Sequence, residues 1–379
     1  MYIMFLKKKI KKLTEERWNV GFIQNSIEDI LNNSPLKVNW IKHNYKNSWF
    51  ADPFILDVTE KKIELLVEEF FKPANKGRIS KLTIDRASND LQSCDVILDL
   101  TTHLSFPFII RQEDSLSFFI RDIDTHVNSF NEPYVYILPE NGESGHLSIY
   151  RYFPLSNKIA FLHSVLDEGV EDAVPFFIDN QTFLFCTPRE NPNGNILHIY
   201  KWLSEEKKFV FLKSLSFKEN VARMSGAFFY YNNKLIRPTQ ECNLQYGHAV
   251  TLQETNIKNF SFKELIRIYS THPTLNVGSH TFNSYKNVIV TMNGVAGYDD
   301  WAKYKGFCTV VVPLCISSSL YDNICNYRDF FNLFDDVIVT EAYRDIDGDI
   351  GTRMITVKGD DNFDTILKSI ENNVVRRVK

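Results

Sequence analysis

The sequence predicts an all-β fold: a five-bladed β-propeller with a short N-terminal extension and a small α/β C-terminal segment. Three observations carry that expectation. Most of the chain falls into short β-branched or aromatic runs bounded by turn residues. A short opening motif recurs five times at nearly constant spacing. Helical patterns are confined to two short stretches.

Taken from the start, Met1 to Leu6 are apolar and Lys7, Lys8, Lys9, Lys11 and Lys12 follow directly. A secretory signal carries its charge ahead of a longer apolar run, so this is not an export signal. Two readings fit it. One is a solvated leader; the other is a short amphipathic foot making peripheral contact with anionic lipid, at about 1 kcal/mol per basic residue. Ile27 to Leu31 is the first candidate helix. Runs such as Ile63-Glu64-Leu65-Leu66-Val67, Leu116-Ser117-Phe118-Phe119-Ile120 and Thr182-Phe183-Leu184-Phe185 read as strands. Asn141-Gly142, Asn193-Gly194 and Asn232-Asn233 are hairpin signals, because these residues tolerate positive φ.

The repeat is Ala51-Asp52-Pro53-Phe54-Ile55, Ser105-Phe106-Pro107-Phe108-Ile109, Ala173-Val174-Pro175-Phe176-Phe177, Gly226-Ala227-Phe228-Phe229 and His280-Thr281-Phe282-Asn283. The residues before the shared Phe are 53, 107, 175, 227 and 281, so the intervals are 54, 68, 52 and 54. The long interval holds a polar insertion, roughly residues 121 to 132, without apolar periodicity. A period near fifty with about four strands per unit is a propeller signature. One such unit cannot bury both its faces, so neighbours stack around an axis. A β-sandwich is the competing arrangement, but its strands would not keep a common opening at such spacing.

After the propeller, Cys308 to Ile316 and Asp336-Val337-Ile338-Val339-Thr340 read as strands. Thr352 to Lys358 is another, followed by a helix over Phe363 to Asn372. They are expected to complete the fifth blade and add a small cap. The organisation is therefore residues 1–45 as leader and lead-in, 46–333 as propeller and 334–379 as a strand–helix extension.

Composition narrows the function. A net charge of −4 argues against a nucleic-acid partner, which usually meets a basic excess. No run approaches 18 apolar residues, so no transmembrane helix is expected. Six cysteines without a CxxC pair suggest reduced thiols in a cytoplasmic protein, with peripheral attachment at the inner membrane surface as a variant. The nine histidines form no ligand-spaced cluster, so neither a metal nor another cofactor is expected.

In a propeller, the first strand of each blade lies nearest the axis, and the starts of these strands converge on one mouth. Asp52, His103, Ser105, Glu171, Asp172, Arg223, Ser225, Ser279 and His280 flank the repeated openings and are the residues expected there.

At these residues the chain resembles a known family. Trp49-Phe50-Ala51-Asp52-Pro53-Phe54, Glu68-Glu69-Phe70 and Gly77-Arg78-Ile79-Ser80 look like the first blade of the N-terminal propeller domain of plant glucosamine inositolphosphorylceramide transferases. The same domain type occurs in bacterial proteins of surface-glycan loci. The likeness continues through His103-Leu104-Ser105-Phe106-Pro107-Phe108, Ile137-Leu138-Pro139-Glu140, Asp172-Ala173 and Ala222-Arg223-Met224-Ser225-Gly226. Arg237-Pro238-Thr239-Gln240-Glu241-Cys242 with Tyr246-Gly247, and Gly278-Ser279-His280-Thr281-Phe282, complete it over roughly residues 18 to 296.

That domain is similar in turn to the five-bladed glycosidase superfamily of arabinanases, levansucrases and invertases. The resemblance implies a sugar-facing funnel with three carboxyl groups: a base or nucleophile in blade one, a pKa-tuning Asp in blade three and an acid in blade four. Asp52 and Asp172 match the first two. Where the superfamily places its blade-four Glu, this chain has Met224-Ser225-Gly226, and Glu241 stands later in that blade. The plant transferases assign sugar transfer to a separate C-terminal domain, for which the roughly eighty residues after the propeller are too few.

The catalytic candidates are thus Asp52, Asp172 and Glu241. Glycosidic cleavage needs two carboxyl groups about 5–5.5 Å apart for retention or about 6.5–9.5 Å for inversion, one of them protonated. Each candidate has a structural alternative: a turn carboxylate for Asp52 and Asp172, a partner of Arg237 for Glu241. Substrate-binding candidates are Glu69, His103, Glu140, Arg223, Arg237, Gln240 and His280. Glu68 and Glu69 are consecutive, so only one faces inward on a strand, and the residues do not say which. The two histidines suit sugar hydroxyls or bonds between blades equally. Arg223 and Arg237 suit a phosphate or acidic sugar, or an internal ion pair. Tyr246 and Trp49 suit a sugar ring or a seam between blades. The expected ligand is a sugar, a glycan or a sugar-phosphate. Two functions remain in contention: an enzyme cleaving or transferring a glycosidic bond in surface-glycan biosynthesis, and a non-catalytic glycan-binding module that presents substrate to a partner glycosyltransferase.

Overall fold

The structure, a computed structural model, describes residues 15–111, 117–124, 130–271 and 278–297, and the backbone of 307–312, 337–341 and 353–358. Strand β1 (Glu15–Ile23) is followed by helix α1 (Ile27–Leu31) and the short strand β2 (Val38–Trp40). A reciprocal cap starts the expected helix: Asp29 N–H donates to Ser26 Oγ at 3.1 Å, and Ser26 N–H donates to the Asp29 carboxylate at 3.1 Å.

Four antiparallel meanders follow. The first blade is β3 (Ser48–Val58), β4 (Lys62–Phe71), β5 (Lys76–Asp85) and β6 (Leu91–Leu98). The second is β7 (Ser105–Ile110), β8 (Val135–Glu140), β9 (Leu147–Phe153) and β10 (Lys158–Leu166), with helix α2 (Ser117–Ile123) inserted after β7. The third is β11 (Val170–Ile178), β12 (Gln181–Pro188), β13 (Ile196–Leu203) and β14 (Lys208–Ser216). The fourth is β15 (Phe229–Tyr231), β16 (Lys234–Glu241), β17 (Ala249–Asn256) and β18 (Ser261–Tyr269). Then β19 (Gly278–Tyr285) and β20 (Val288–Gly297) pair with β1 and β2 in the order β19–β20–β1–β2. The fold is a five-bladed β-propeller.

The fifth blade corrects the expected domain boundaries. Its two outer strands come from residues 15–40, placed in the lead-in by sequence, and not from the C-terminal segment. Completing the fifth blade with strands that precede the first blade in the chain ties the two ends of the ring together. Strands β21 (Phe307–Val312), β22 (Val337–Glu341) and β23 (Arg353–Lys358) form their own three-stranded sheet, in the order β21–β23–β22. A boundary at 333 would divide that sheet. The helix expected over Phe363 to Asn372, and the basic leader up to Lys12, lie outside the described residues.

Of the run from Leu116 to Ile120, expected as a strand, residues 117–120 belong to α2, and Leu116 lies outside the described residues. Phe119 and Ile120 are buried, and Phe119 lies 5.1 Å from the Trp202 ring and 5.6 Å from Phe209 of the third blade. Trp202 Nε1 donates to Asp122 at 2.6 Å. A short apolar run fits either element by periodicity, and here tertiary contact decides. Part of the insertion is therefore a packed strap.

The Asn232–Asn233 turn holds φ of 48° and 61°, and Asp179–Asn180 and Lys286–Asn287 repeat that conformation in the blades on either side. These are the two-residue turns that match strand twist. The aromatic openings fill the seams. Phe54 meets Phe106 edge-on at 4.9 Å, Phe228 meets Phe176 at 4.9 Å and Phe185 at 5.0 Å, and Phe229 meets Phe282 at 5.8 Å. Such ring pairs add about 0.5–1.5 kcal/mol each beyond the area they bury.

Candidate functional site

The first strands do not run straight into the axis. The ladder slips between Ala51 and Phe54, between Ser105 and Phe108, between Glu171 and Val174, and between Ser279 and Thr281. Each slip is a β-bulge, which re-aims the side chains around it. Asp52, Phe106 and Asp172 sit in these bulges with φ of 45°, 42° and 48°, and His280 occupies the bulge of the fifth blade. Asp52 and Asp172 thus hold the same place in their blades. The alignment on a shared Phe had set the third blade two residues late, because Pro175-Phe176 imitates Pro53-Phe54.

The bulges are stitched from blade to blade. Phe106 N–H donates to Asp52 Oδ2 at 3.3 Å, joining the first two blades. Asp172 N–H donates to Glu140 Oε2 at 2.7 Å, joining the second and third. Arg223 Nε and Gln240 Nε2 each donate to Asp172 Oδ2 at 2.6 Å, joining the third and fourth. Ser225 Oγ donates to His280 O at 2.5 Å, and Thr281 Oγ1 to Asp52 Oδ1 at 3.0 Å, completing the circle. All five seams are closed near the axis by polar groups from the repeated openings.

Above this ring opens a pit of about 280 Å³. The first blade gives it Asp52 and Glu68, and the second gives Ser105, Glu140 and Glu143, with His103 from the turn before β7. Glu171 and Arg189 come from the third blade, Arg223 and Tyr246 from the fourth. The volume lies just below the roughly 300–1,000 Å³ usual for small-molecule sites, so it suits one sugar-sized unit.

Five carboxyl groups around one hollow cannot all be charged, and their surroundings separate them. Burial, then the charges of Glu68 and Glu140, push Asp52 up to about 7. Burial also raises Glu68, against the opposing contact from His103 Nε2 at 3.2 Å. For Glu140, burial is outweighed by its hydrogen bond with Glu171, by Arg223 and by Asp172, bringing it down to about 2. Glu171 is pushed up to about 8 by burial and by the Glu140 charge it faces. His103 Nδ1 accepts Gly77 N–H at 3.0 Å, which fixes Nε2 as the donor to Glu68.

Asp52, His103, Glu140 and Arg223 are thus in the pit. Asp172 and Gln240 lie beneath it, buried and bound to one another. His280 is likewise buried, with Nδ1 3.6 Å from Asp52 Oδ1 and its ring 4.3 Å from Trp18 and 4.8 Å from Tyr246. Burial and the Arg223 charge bring its pKa down to about 3, so it is neutral. It does not line the pit.

Three placements are corrected. Glu69 faces away from the pit, where Arg78, Ser48 and Ser80 hold its carboxylate at 2.6–3.0 Å, while Glu68 is the inward member of the pair. Arg237 is buried within the fourth blade, donating to Gln253 Oε1 at 3.0 Å, to Met224 Sδ and to Ala222 O. Glu241 is bound by His248 Nδ1 at 2.6 Å and Asn243 N–H at 2.7 Å, and it does not line the pit. On β16, alternation turns Gln240 toward Asp172 and so turns Glu241 elsewhere.

Sequence reasoning singled out Glu171 only as a flanking residue. A regular strand would send Glu171 and Asp172 to opposite faces. The bulge brings both to the axis, one into the pit and one under it. Glu143 and Arg189 carried no signal, since they come from turns beyond the openings.

The description of the N-terminal region of glucosamine inositolphosphorylceramide transferase 1 matches residues 33–293. No curated protein matches the chain. Among solved structures, a GH43 β-xylosidase/α-arabinofuranosidase from a compost microbial metagenome, in complex with xylotriose, is 9% identical, with 67% of this chain and 93% of that one covered and a TM-score of 0.43. The GH43_1 enzyme from Xanthomonas citri complexed with xylotriose is 8% identical, with 66% and 88% covered and a TM-score of 0.40. An exo-β-1,3-galactanase from Clostridium thermocellum is 13% identical, with 65% and 52% covered and a TM-score of 0.41. At these identities and scores the likenesses assign no chemistry.

Proposed function

This chain belongs to the glucosamine inositolphosphorylceramide transferase 1 N-terminal family, and from that premise we propose that its pit receives one sugar residue of a glycan and acts on the glycosidic bond beside it. The observation that carries the reading is the gathering of Asp52, Glu68, Glu140 and Glu171 from three blades into one small hollow. Among them, Glu140 is strongly acidic, Asp52 gains and loses its proton near neutrality, and Glu171 keeps its proton to a higher pH. Carboxyl groups whose surroundings drive them apart are the usual basis of acid–base chemistry on sugars. Asp52 is the group proposed to take the proton of the attacking oxygen, and Tyr246 offers an apolar ring face to the sugar.

Charge favours a neutral sugar over a sugar-phosphate. Arg223 is engaged by Asp172 at 2.6 Å and stands 3.8 Å from both Glu140 and Glu171, so its positive charge is already answered. A phosphate would enter among five carboxyl groups with Arg189 as its main cation.

A second reading, the glycan-binding module serving a partner transferase, is favoured by one observation: the fourth-blade carboxylate Glu241 is consumed by His248. Two measurements separate the two. Calorimetry with neutral oligosaccharides reads binding, and release of phenol from aryl glycosides, with or without an acceptor sugar, reads turnover. The enzyme reading expects Asp52→Asn to bind as the wild type does and to turn over at least a hundredfold more slowly. Tight binding with no product from any donor would establish the binding module instead.

A further inference from the structure

If the pit works on a glycosidic bond, a proton must reach the departing oxygen, and the expected fourth-blade acid is outside the pit. Glu171 lines the pit on the third blade, and the reading above gives it no separate task. Its surroundings differ sharply from those of Glu140. Glu140 accepts Ser105 Oγ at 2.8 Å on Oε1 and Asp172 N–H at 2.7 Å on Oε2, with Arg223 Nη2 3.8 Å away. Donors on both oxygens hold a carboxyl group ionised. Glu171 is hydrogen-bonded to Glu140, with Arg223 at 3.8 Å. Two carboxyl groups in that contact share a proton, and it resides on the one with fewer other donors.

The space around Glu171 is also built. A Cβ on Gly142 would lie 2.7 Å from Glu171 Oε1 and 3.0 Å from Arg189 Nη1. Any other residue there would crowd the carboxyl group out of its position. Glu171 belongs to the third blade and Asp52 to the first, and these blades are not adjacent in the ring. A bond held between them would therefore have a proton donor on one side and an acceptor on the other.

We propose that Glu171 is the catalytic acid of this pit, keeping its proton against Glu140 until a glycosidic oxygen replaces that partner. The step balances without another reactant. As the bond from the anomeric carbon to the departing oxygen breaks, its electron pair leaves with that oxygen, which takes the proton of Glu171. Water or an acceptor hydroxyl bonds to the anomeric carbon and gives its proton to Asp52. Exchange with solvent then restores both groups. The charge order supports this arrangement, with Glu140 near 2 and Glu171 near 8.

The inference rests on the proposed reaction, and its test separates the two. Wild type, Glu171→Gln and Asp52→Asn are compared on phenyl glycosides and 2,4-dinitrophenyl glycosides of common pentoses and hexoses. Dinitrophenolate departs without a proton, whereas phenolate needs one. Glu171→Gln should slow the phenyl series about 10²–10⁴-fold and the dinitrophenyl series less than tenfold, with loss of the fall in rate near pH 8. Glu140→Gln should move that fall to lower pH, because the charge favouring the Glu171 proton is gone. Carbon-13 spectra of labelled glutamates read the same group without substrate: one carboxyl carbon should titrate near 8 and vanish in Glu171→Gln. Equal loss on both series, or no loss, with Asp52→Asn still inactive, overturns the role of Glu171 alone. No phenol from any glycoside by the wild type overturns the reaction and this role together.

Discussion

The Glu140–Glu171 pair makes a quantitative prediction about stability. A carboxyl group whose folded pKa stands above its unfolded value binds more protons folded than unfolded between those values. Its contribution is whole below the unfolded pKa and is lost as pH rises through the folded one. Glu171 moves from 4.5 to about 8. At about 1.4 kcal/mol per pH unit this is a loss of about 5 kcal/mol between pH 4.5 and 8, and burial of the group makes screening a small correction. Glu140 has the opposite sign, but its window lies between about 2 and 4.5 and does not overlap. Asp52, raised from 3.8 to about 7, adds a second loss in the same window. Glu171→Gln removes the first and leaves the second, because the amide still donates to Glu140. Urea unfolding followed by tryptophan fluorescence at pH 5, 7 and 9 measures the difference. The wild type should lose about 3–5 kcal/mol relative to Glu171→Gln across that range. A difference constant to about 0.5 kcal/mol would mean that no proton is shared, and the charge order of the pit would be wrong.

Three further outcomes follow from single contacts. Arg223→Met should lower stability by about 3–5 kcal/mol, seen as a large drop in melting temperature, because it strands Asp172 and Glu140 without their cation. Glu68→Gln and Glu69→Gln should separate cleanly in calorimetry and melting: the first weakens sugar binding with little change in stability. The second leaves binding intact but costs about 1–3 kcal/mol, since an amide offers Arg78, Ser48 and Ser80 one acceptor oxygen in place of two and no charge for the guanidinium. Gly77→Ala should weaken binding and destabilise by about 1–3 kcal/mol, because its Cβ would stand 2.4 Å from Leu104 O and 2.7 Å from Glu68 Oε1.

The ring was legible because stacking imposes a repeat, and each blade must present an apolar face at the same point. Phe54, Phe108 and Phe282 mark those points in the sequence. Two features were not legible for physical reasons. The fifth blade is completed by β1 and β2, which lack the opening motif because they are outer strands, so a search for repeats passes over them. The third opening looks two residues displaced because Val174 and Phe176 are both apolar, and backbone conformation at Asp172 decides between them. In the site, Asp52 could be found because it stands inside the motif. Glu171 was obscured because a bulge, not strand alternation, turns it inward. Glu241 misled because a carboxylate close in sequence to the right blade was satisfied by a local histidine.

The central claim is that five blades converge to make one sugar pit in which Asp52 and Glu171 face the ligand. Crystals soaked with a neutral oligosaccharide test it most directly, through difference density and the contacts of the bound ring. The account predicts one sugar residue seated in the pit, within hydrogen-bond reach of Asp52 and Glu171 and against Tyr246. Density for the sugar at another face of the propeller, with these side chains unchanged and untouched, would contradict it.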